Sequence, residues 1–114
     1  MNFDLYNRTR SEIVLKKVHE ASSFLERFIG LMLRKDSTPY GGLLFYRAGG
    51  IHTCFMRFSL DIVFVDKNMT VLKVYKKVGA FRVAICYNAY AAIEFKSDTS
   101  GAISAGDILE LKNG

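Results

Sequence analysis

Short runs of alternating apolar and polar residues recur along most of the chain. Residues 12 to 18, Glu-Ile-Val-Leu-Lys-Lys-Val, are rich in β-branched side chains and predict a strand. Between residues 22 and 33 the period changes. Ala21, Phe24, Leu25, Phe28 and Met32 recur at spacings of three and four, the stripe of a helix. Ser23 followed by Glu26 is a capping-box signature and predicts a helix start near Ser23. Gly30 either ends that helix or lets it pack closely on a strand. Pro39 lies in Ser-Thr-Pro-Tyr-Gly-Gly, which predicts a turn.

Leu43 to Tyr46 and Ile51 to Phe58 predict two more strands. Alternation puts His52, Cys54 and Met56 on one face of the second, and Thr53, Phe55 and Arg57 on the other. Leu60 to Val65 and Thr70 to Val78 predict a hairpin across Asp66-Lys67-Asn68-Met69. Asn68 is expected in the left-handed conformation, with Leu72, Val74 and Val78 toward the core. Phe81 to Cys86, Ala91 to Lys96 and Ile108 to Lys112 are further strands. Ser97 to Ala105 is read as one helical turn and Gly106-Asp107 as a tight turn.

Seven or eight short strands at near-regular spacing with one helix in the N-terminal half predict a mainly β chain, α+β by content. The expected architecture is a small antiparallel β-sandwich, jelly-roll-like, or an open barrel with the helix across one opening. The 114 residues suit a single domain spanning 1–114, and 50% hydrophobic with 24% charged residues is a globular composition. This argues against a multi-domain enzyme, a repeat array and a coiled coil.

Sixteen basic residues against eleven acidic give +5, and the excess is local. From Lys67 to Arg82 there are five bases (Lys67, Lys73, Lys76, Lys77, Arg82) and no acid. Such a stretch suits an acidic partner, or a solvated strand face whose lysines protect a sheet edge. Nucleic-acid binding by the Lys73-to-Arg82 face is the weakest reading, because no recognition motif accompanies it. The opening MNFDLYNRTR carries Asp4 and no following apolar run, so no signal peptide is expected, and no stretch reaches the ~20 apolar residues of a membrane span. The expected compartment is the cytoplasm, with reduced thiols. Cys54 and Cys86 then read first as small buried hydrophobes; a catalytic thiol, or a disulfide in an exported chain, are the alternatives.

Several segments together carry a resemblance. They are Arg27-Phe-Ile-Gly30-Leu31-Met32-Leu-Arg34, Gly42-Leu-Leu-Phe45, and Ile51-His52-Thr53-Cys-Phe-Met56-Arg57-Phe58-Ser-Leu-Asp61-Ile-Val-Phe64-Val-Asp66. Arg82, Ile93-Glu94-Phe95 and Gly106-Asp107 follow. From about Val14 to Leu111 the chain resembles the bacterial and archaeal family called domain of unknown function 192. The resemblance implies a compact, mostly antiparallel β-structure of jelly-roll type with a short helix, and no established activity. The chain departs from the family's usual pattern where Ser59 replaces a proline, where Ala80-Phe81 precedes Arg82, and where Lys96-Ser97-Asp98 stands in place of Pro-Ala-Gly.

His52, Arg57, Asp61 and Asp66 form the leading polar cluster. Buried charges must be paired or shift their pKa, so Arg57 and Asp61 flanking the bend at Phe58-Ser59-Leu60 are expected to clasp it. In the functional alternative Arg57 holds an anionic group while Asp61 or His52 acts as base or ligand. Arg27 and Arg34, seven apart on the predicted helix, are expected to pair with Glu94 or Asp107, or else to line an anion pocket. Arg82 completes the secondary candidates. No metal is expected, because His52 with Asp61 and Asp66 is a poor ligand set and His19 lies far off in sequence. No phosphate-loop, dinucleotide or paired-cysteine motif is present, so no cofactor is expected.

The sequence therefore predicts a non-enzymatic domain that binds a small ligand or a partner protein. The alternative is a small hydrolase or isomerase using His52, Arg57 and Asp61. A monomer or weak homodimer is expected.

Overall fold

A computed structural model describes residues 2–20, 40–47, 49–52, 58–79 and 82–113. The helix predicted near 22–33 and residues 53–57 of the strand predicted over 51–58 lie outside the described residues.

The described chain is mainly β. Its strands are β1 (Asn2–Asn7), β2 (Glu12–Glu20), β3 (Gly42–Tyr46), β4 (Gly50–His52), β5 (Leu60–Val65), β6 (Val71–Val78), β7 (Val83–Ile85), β8 (Ala91–Lys96) and β9 (Leu109–Asn113). Seven of them form one sheet in the order β6-β5-β8-β3-β2-β1-β9, and β4 and β7 form a separate two-stranded ribbon. β2 and β3 run parallel, while the other pairs are antiparallel. Gly41 admits the chain to β3: its N–H donates to the Lys17 carbonyl, and a Cβ there would overlap the backbone oxygen of Lys16.

The sheet curls until its two edges touch at one end. A bridge joins Thr70 to Ile108, the Val71 N–H donates to the Asp107 carbonyl (2.8 Å), and the Gly106 N–H donates to the Val71 carbonyl (2.8 Å). The result is an open barrel with a seam between β6 and β9. Its concave interior is one apolar cluster drawn from all seven strands, including Leu5, Val14, Leu44, Val63, Ile93, Phe95 and Leu109. Fully burying each such side chain stabilises the fold by roughly 1.5–3 kcal/mol. On the convex side Ile62, Phe64 and Ala92 pack against Ala84 and Cys86, so the β4–β7 ribbon covers that face.

Three expectations need correction. The hairpin forms between Leu60–Val65 and Val71–Val78, but Met69 rather than Asn68 takes the left-handed conformation (φ 63°). Both Asn68 and Thr70 donate their backbone N–H to Asp66 Oδ1 (2.9 Å each), which fixes the turn one residue later. Nor does β6 alternate simply. Its register against β5 slips twice, so Val71 and Val74 face the barrel interior while Leu72 and Val78 pack on the convex side. A bulge inserts an extra residue and resets the period of two. Finally, residues 97–105 form turns and irregular chain, not a helical turn. One of them, Ile103, is nonetheless buried in the interior cluster and anchors this segment in the seam.

Candidate functional site

The second β6 slip creates the site. Leu60 pairs with Val78 and Ile62 with Tyr75, so Lys76 and Lys77 together oppose Asp61. Lys77 adopts φ 53°, a left-handed conformation that costs a side-chain-bearing residue roughly 1–2 kcal/mol. Its N–H, turned out of the ladder by the bulge, donates to Asp61 Oδ1 at 2.9 Å. The Ser97 hydroxyl donates to the same oxygen at 2.8 Å. Asp61 pairs in register with Phe95 and lies on the interior face, yet its environment is polar at this end of the barrel.

Asp61 is only 7% exposed, and the exposure it keeps opens into the seam. There a cleft of about 430 Å³ is lined by Asp61, Lys76, Lys77, Asp98, Ser100 and Gly101. Among the described residues Asp61 pairs with no cationic side chain, and no hydrogen bond is donated to its Oδ2. Lys77 Nζ and Asp98 Oδ2 stand 3.9 Å apart at the rim, both largely exposed, a contact worth little in water. Asp98 is also left-handed (φ 66°). Ser97 and Asp98 follow β8 directly: Ser97 bonds Asp61, and Asp98 lines the cleft.

The remaining sequence candidates separate in space. Asp66 caps the hairpin turn. Asp107 lies at the closed end of the barrel, where its Oδ2 accepts from Asn7 Nδ2 (2.8 Å), Arg10 Nε (2.9 Å) and the Ser104 N–H (2.9 Å). The Asn7 and Arg10 hydrogen bonds hold the Asp107 carboxyl below its ordinary pKa, against the burial that opposes them. Arg27 and Arg34, the expected partners of Glu94 or Asp107, lie outside the described residues; among the described residues Arg10 pairs with Asp107. Glu94 is buried on the convex face, in register with Leu43 and Ile62, so it and Asp61 are on opposite faces of the sheet. His52 belongs to the ribbon over that convex face, its backbone paired with Val83. Arg82 is exposed just before β7. Arg57, and with it the proposed clasp to Asp61, lies outside the described residues. No cluster of three metal-ligating side chains occurs among the described residues. No helix among them is long and apolar enough to cross a membrane.

The sequence pattern of the family described as Uncharacterized ACR, COG1430, matches residues 6–114. The chain belongs to this family, DUF192. It is 32% identical over 80 residues to UPF0127 protein PF1050 of Pyrococcus furiosus, a match covering 60% of this chain and 66% of the relative, less than two thirds of its length. Two solved structures share the DUF192 chain's fold. A candidate transcription regulator from Sinorhizobium meliloti 1021 superposes with a TM-score of 0.75 at 20% identity, covering 96% of this chain and 92% of its own. A protein of unknown function from Novosphingobium aromaticivorans DSM 12444 gives 0.72 at 19% identity, covering 96% and 84%.

Sequence reasoning missed the partners of both interior carboxylates. Ser97 falls in the segment expected to form a helical turn, and Asn7 and Arg10 precede the first expected strand. β1 itself had a signal, since Asn-Phe-Asp-Leu-Tyr-Asn alternates polar and apolar residues. Nothing local marks Arg10 as the partner of a residue 97 positions away.

Proposed function

We propose that this protein is a non-enzymatic binding domain that receives a small polar ligand in the seam cleft, with Asp61 as the recognition group. The observation that carries this reading is a buried carboxylate opening into a cleft, with one oxygen doubly bonded and the other receiving no hydrogen bond among the described residues. A carboxylate offers about four acceptor sites and is an acceptor only. Its complement is a ligand bearing an ammonium, amidinium or hydroxyl donor. The rim lysines, Lys76 and Lys77, stand beside Asp61 to meet the ligand's acceptors. Backbone strain at Lys77 and Asp98 supports the same reading, because strained conformations persist where the surroundings over-determine them and concentrate at ligand sites. Asp61 is assigned a binding rather than an acid–base role because the ribbon carrying His52 packs over the opposite face of the sheet.

The test is an amide NMR titration of the full chain with agmatine, ethanolamine and glycerol as probes. Saturable shifts at Asp61, Lys77, Ser97 and Gly101, lost in Asp61→Asn, are expected for at least one donor-bearing probe. Shifts that persist unchanged in Asp61→Asn, or no saturable shift at these amides, would overturn the proposal.

A further inference from the structure

A second depression, of about 550 Å³, lies on the convex side between β6 and the turn that follows β7. Leu72, Tyr75, Ile85 and Tyr87 give it apolar walls, and Lys73 and Asn88 are the polar side chains at its edge. Depressions of this size, apolar with a few convergent polar groups, are the usual form of a small-molecule site.

Tyr75 links the two sides of the depression. Tyr75 Oη donates to the Ile85 carbonyl at 2.8 Å and accepts the Ile85 N–H at 3.3 Å, which ties the ribbon to β6 and occupies the phenol in both directions. The same ring meets Phe64 edge-on with centroids 5.9 Å apart. Lys73 Nζ sits 4.7 Å from the Tyr75 ring centroid. The neighbouring Tyr75 phenol holds the Lys73 ammonium above its ordinary pKa. Among the described residues Lys73 forms no ion pair with a carboxylate. The sequence carries no acid from Lys67 through Ile93. The Cys86 thiol donates to Asn88 Oδ1 at 3.3 Å, which turns the Asn88 amide so that its NH₂ is the group left to bond. Apolar surface beside these donors stays in water: Tyr87 is 90% exposed and Ile85 37%.

An ammonium and an amide NH₂ are donors only, so they recognise acceptors and favour an anion. One cation matches one negative charge. We infer that this depression binds an amphipathic monocarboxylate, its carboxylate on Lys73 and Asn88 and its alkyl or aryl body against Leu72, Ile85 and Tyr87. A ligand of this kind covers apolar surface that is otherwise exposed and supplies the anion that Lys73 lacks. The site is separate from the Asp61 cleft and stands or falls independently of it.

The experiment is an amide NMR titration of the full chain with octanoate and phenylacetate, with octylamine and octyl glucoside as equally apolar controls. Saturable shifts confined to residues 72–75 and 85–88 are expected with the carboxylates and not with the controls. Lys73→Gln should weaken octanoate binding roughly fivefold to tenfold, and Lys73→Arg should retain it. Lys73 is exposed, so neither variant endangers the fold. Asp61→Asn should leave octanoate binding unchanged. Equal binding of octyl glucoside, or an unchanged affinity in Lys73→Gln, would show apolar adsorption without anion recognition and would overturn the inference. Binding to phosphatidylglycerol vesicles with no saturable binding of free octanoate would make this face a membrane contact and would also overturn it.

Discussion

Asp61 and Asp107 are both buried carboxylates, at 7% and 6% exposure, and they sit at the open and closed ends of the barrel seam. Asp107 has its charge compensated. Three donors converge on Oδ2, one of them the charged Arg10, and together they tie β1, the 104–107 turn and the start of β9 into one latch. The left-handed position in its turn is Gly106 (φ 91°), which adopts that conformation without steric cost. Asp61 has two neutral donors on one oxygen, no cation among the described residues, and left-handed conformations carried by Lys77 and Asp98. A carboxylate with its charge compensated and its turn relaxed is a folding device. One that meets only neutral donors, at a strained bulge and beside a cleft, is the one we propose to meet a ligand.

The largest expected effect lies on the latch. Asp107→Ala strands the Asn7 amide, the Ser104 N–H and the Arg10 guanidinium, and should cost about 3 kcal/mol in urea unfolding. A loss below about 1 kcal/mol would remove the contrast between the two ends. Acid should act through the same group. Its folded pKa is depressed, so its contribution is fully present above the unfolded carboxylate value near about 4 and is lost as pH falls through the lower folded value. The urea midpoint of the parent should drop across that window, and Asp107→Asn should flatten the drop. An unchanged acid profile in Asp107→Asn would place the titration elsewhere.

Smaller effects are expected at the cleft. Ser97→Ala removes one neutral hydrogen bond to Asp61 and should cost roughly 0.5–1.5 kcal/mol. Lys77→Gly keeps the backbone N–H that Asp61 accepts while relieving the left-handed strain. Set against the entropy of glycine, the net gain should be about 0.5 kcal/mol. Destabilisation of more than about 1 kcal/mol would mean that the bulge is not strained.

The contrast between the two carboxylates was only half legible in the sequence. Ala91 to Lys96 has the bounds the sequence predicts, because Ala-Ala-Ile-Glu-Phe is apolar at four of five positions and ends at a charged residue. Asp61 and Asp107 stood out as acids beside apolar runs. What alternation cannot reveal is where it is interrupted. Lys76 and Lys77 read as ordinary strand residues, yet the extra residue there turns an N–H toward Asp61. The latch was hidden for a different reason: Asn7 and Arg10 meet Asp107 only after the first and last strands of the chain pair. Local pattern carries no record of such a pairing. The parallel β2–β3 pair is unmarked in the local pattern for the same reason.

The most direct test is urea unfolding of Asp61→Asn beside Asp107→Asn. Both changes keep the shape and remove the charge. The account predicts a loss below about 1 kcal/mol for Asp61→Asn, since a neutral amide oxygen still accepts from Lys77 and Ser97, and a loss of about 1.5–3 kcal/mol for Asp107→Asn, where a charged partner is abandoned. Losses of about 3 kcal/mol or more at Asp61 would contradict it and make that carboxylate a second latch.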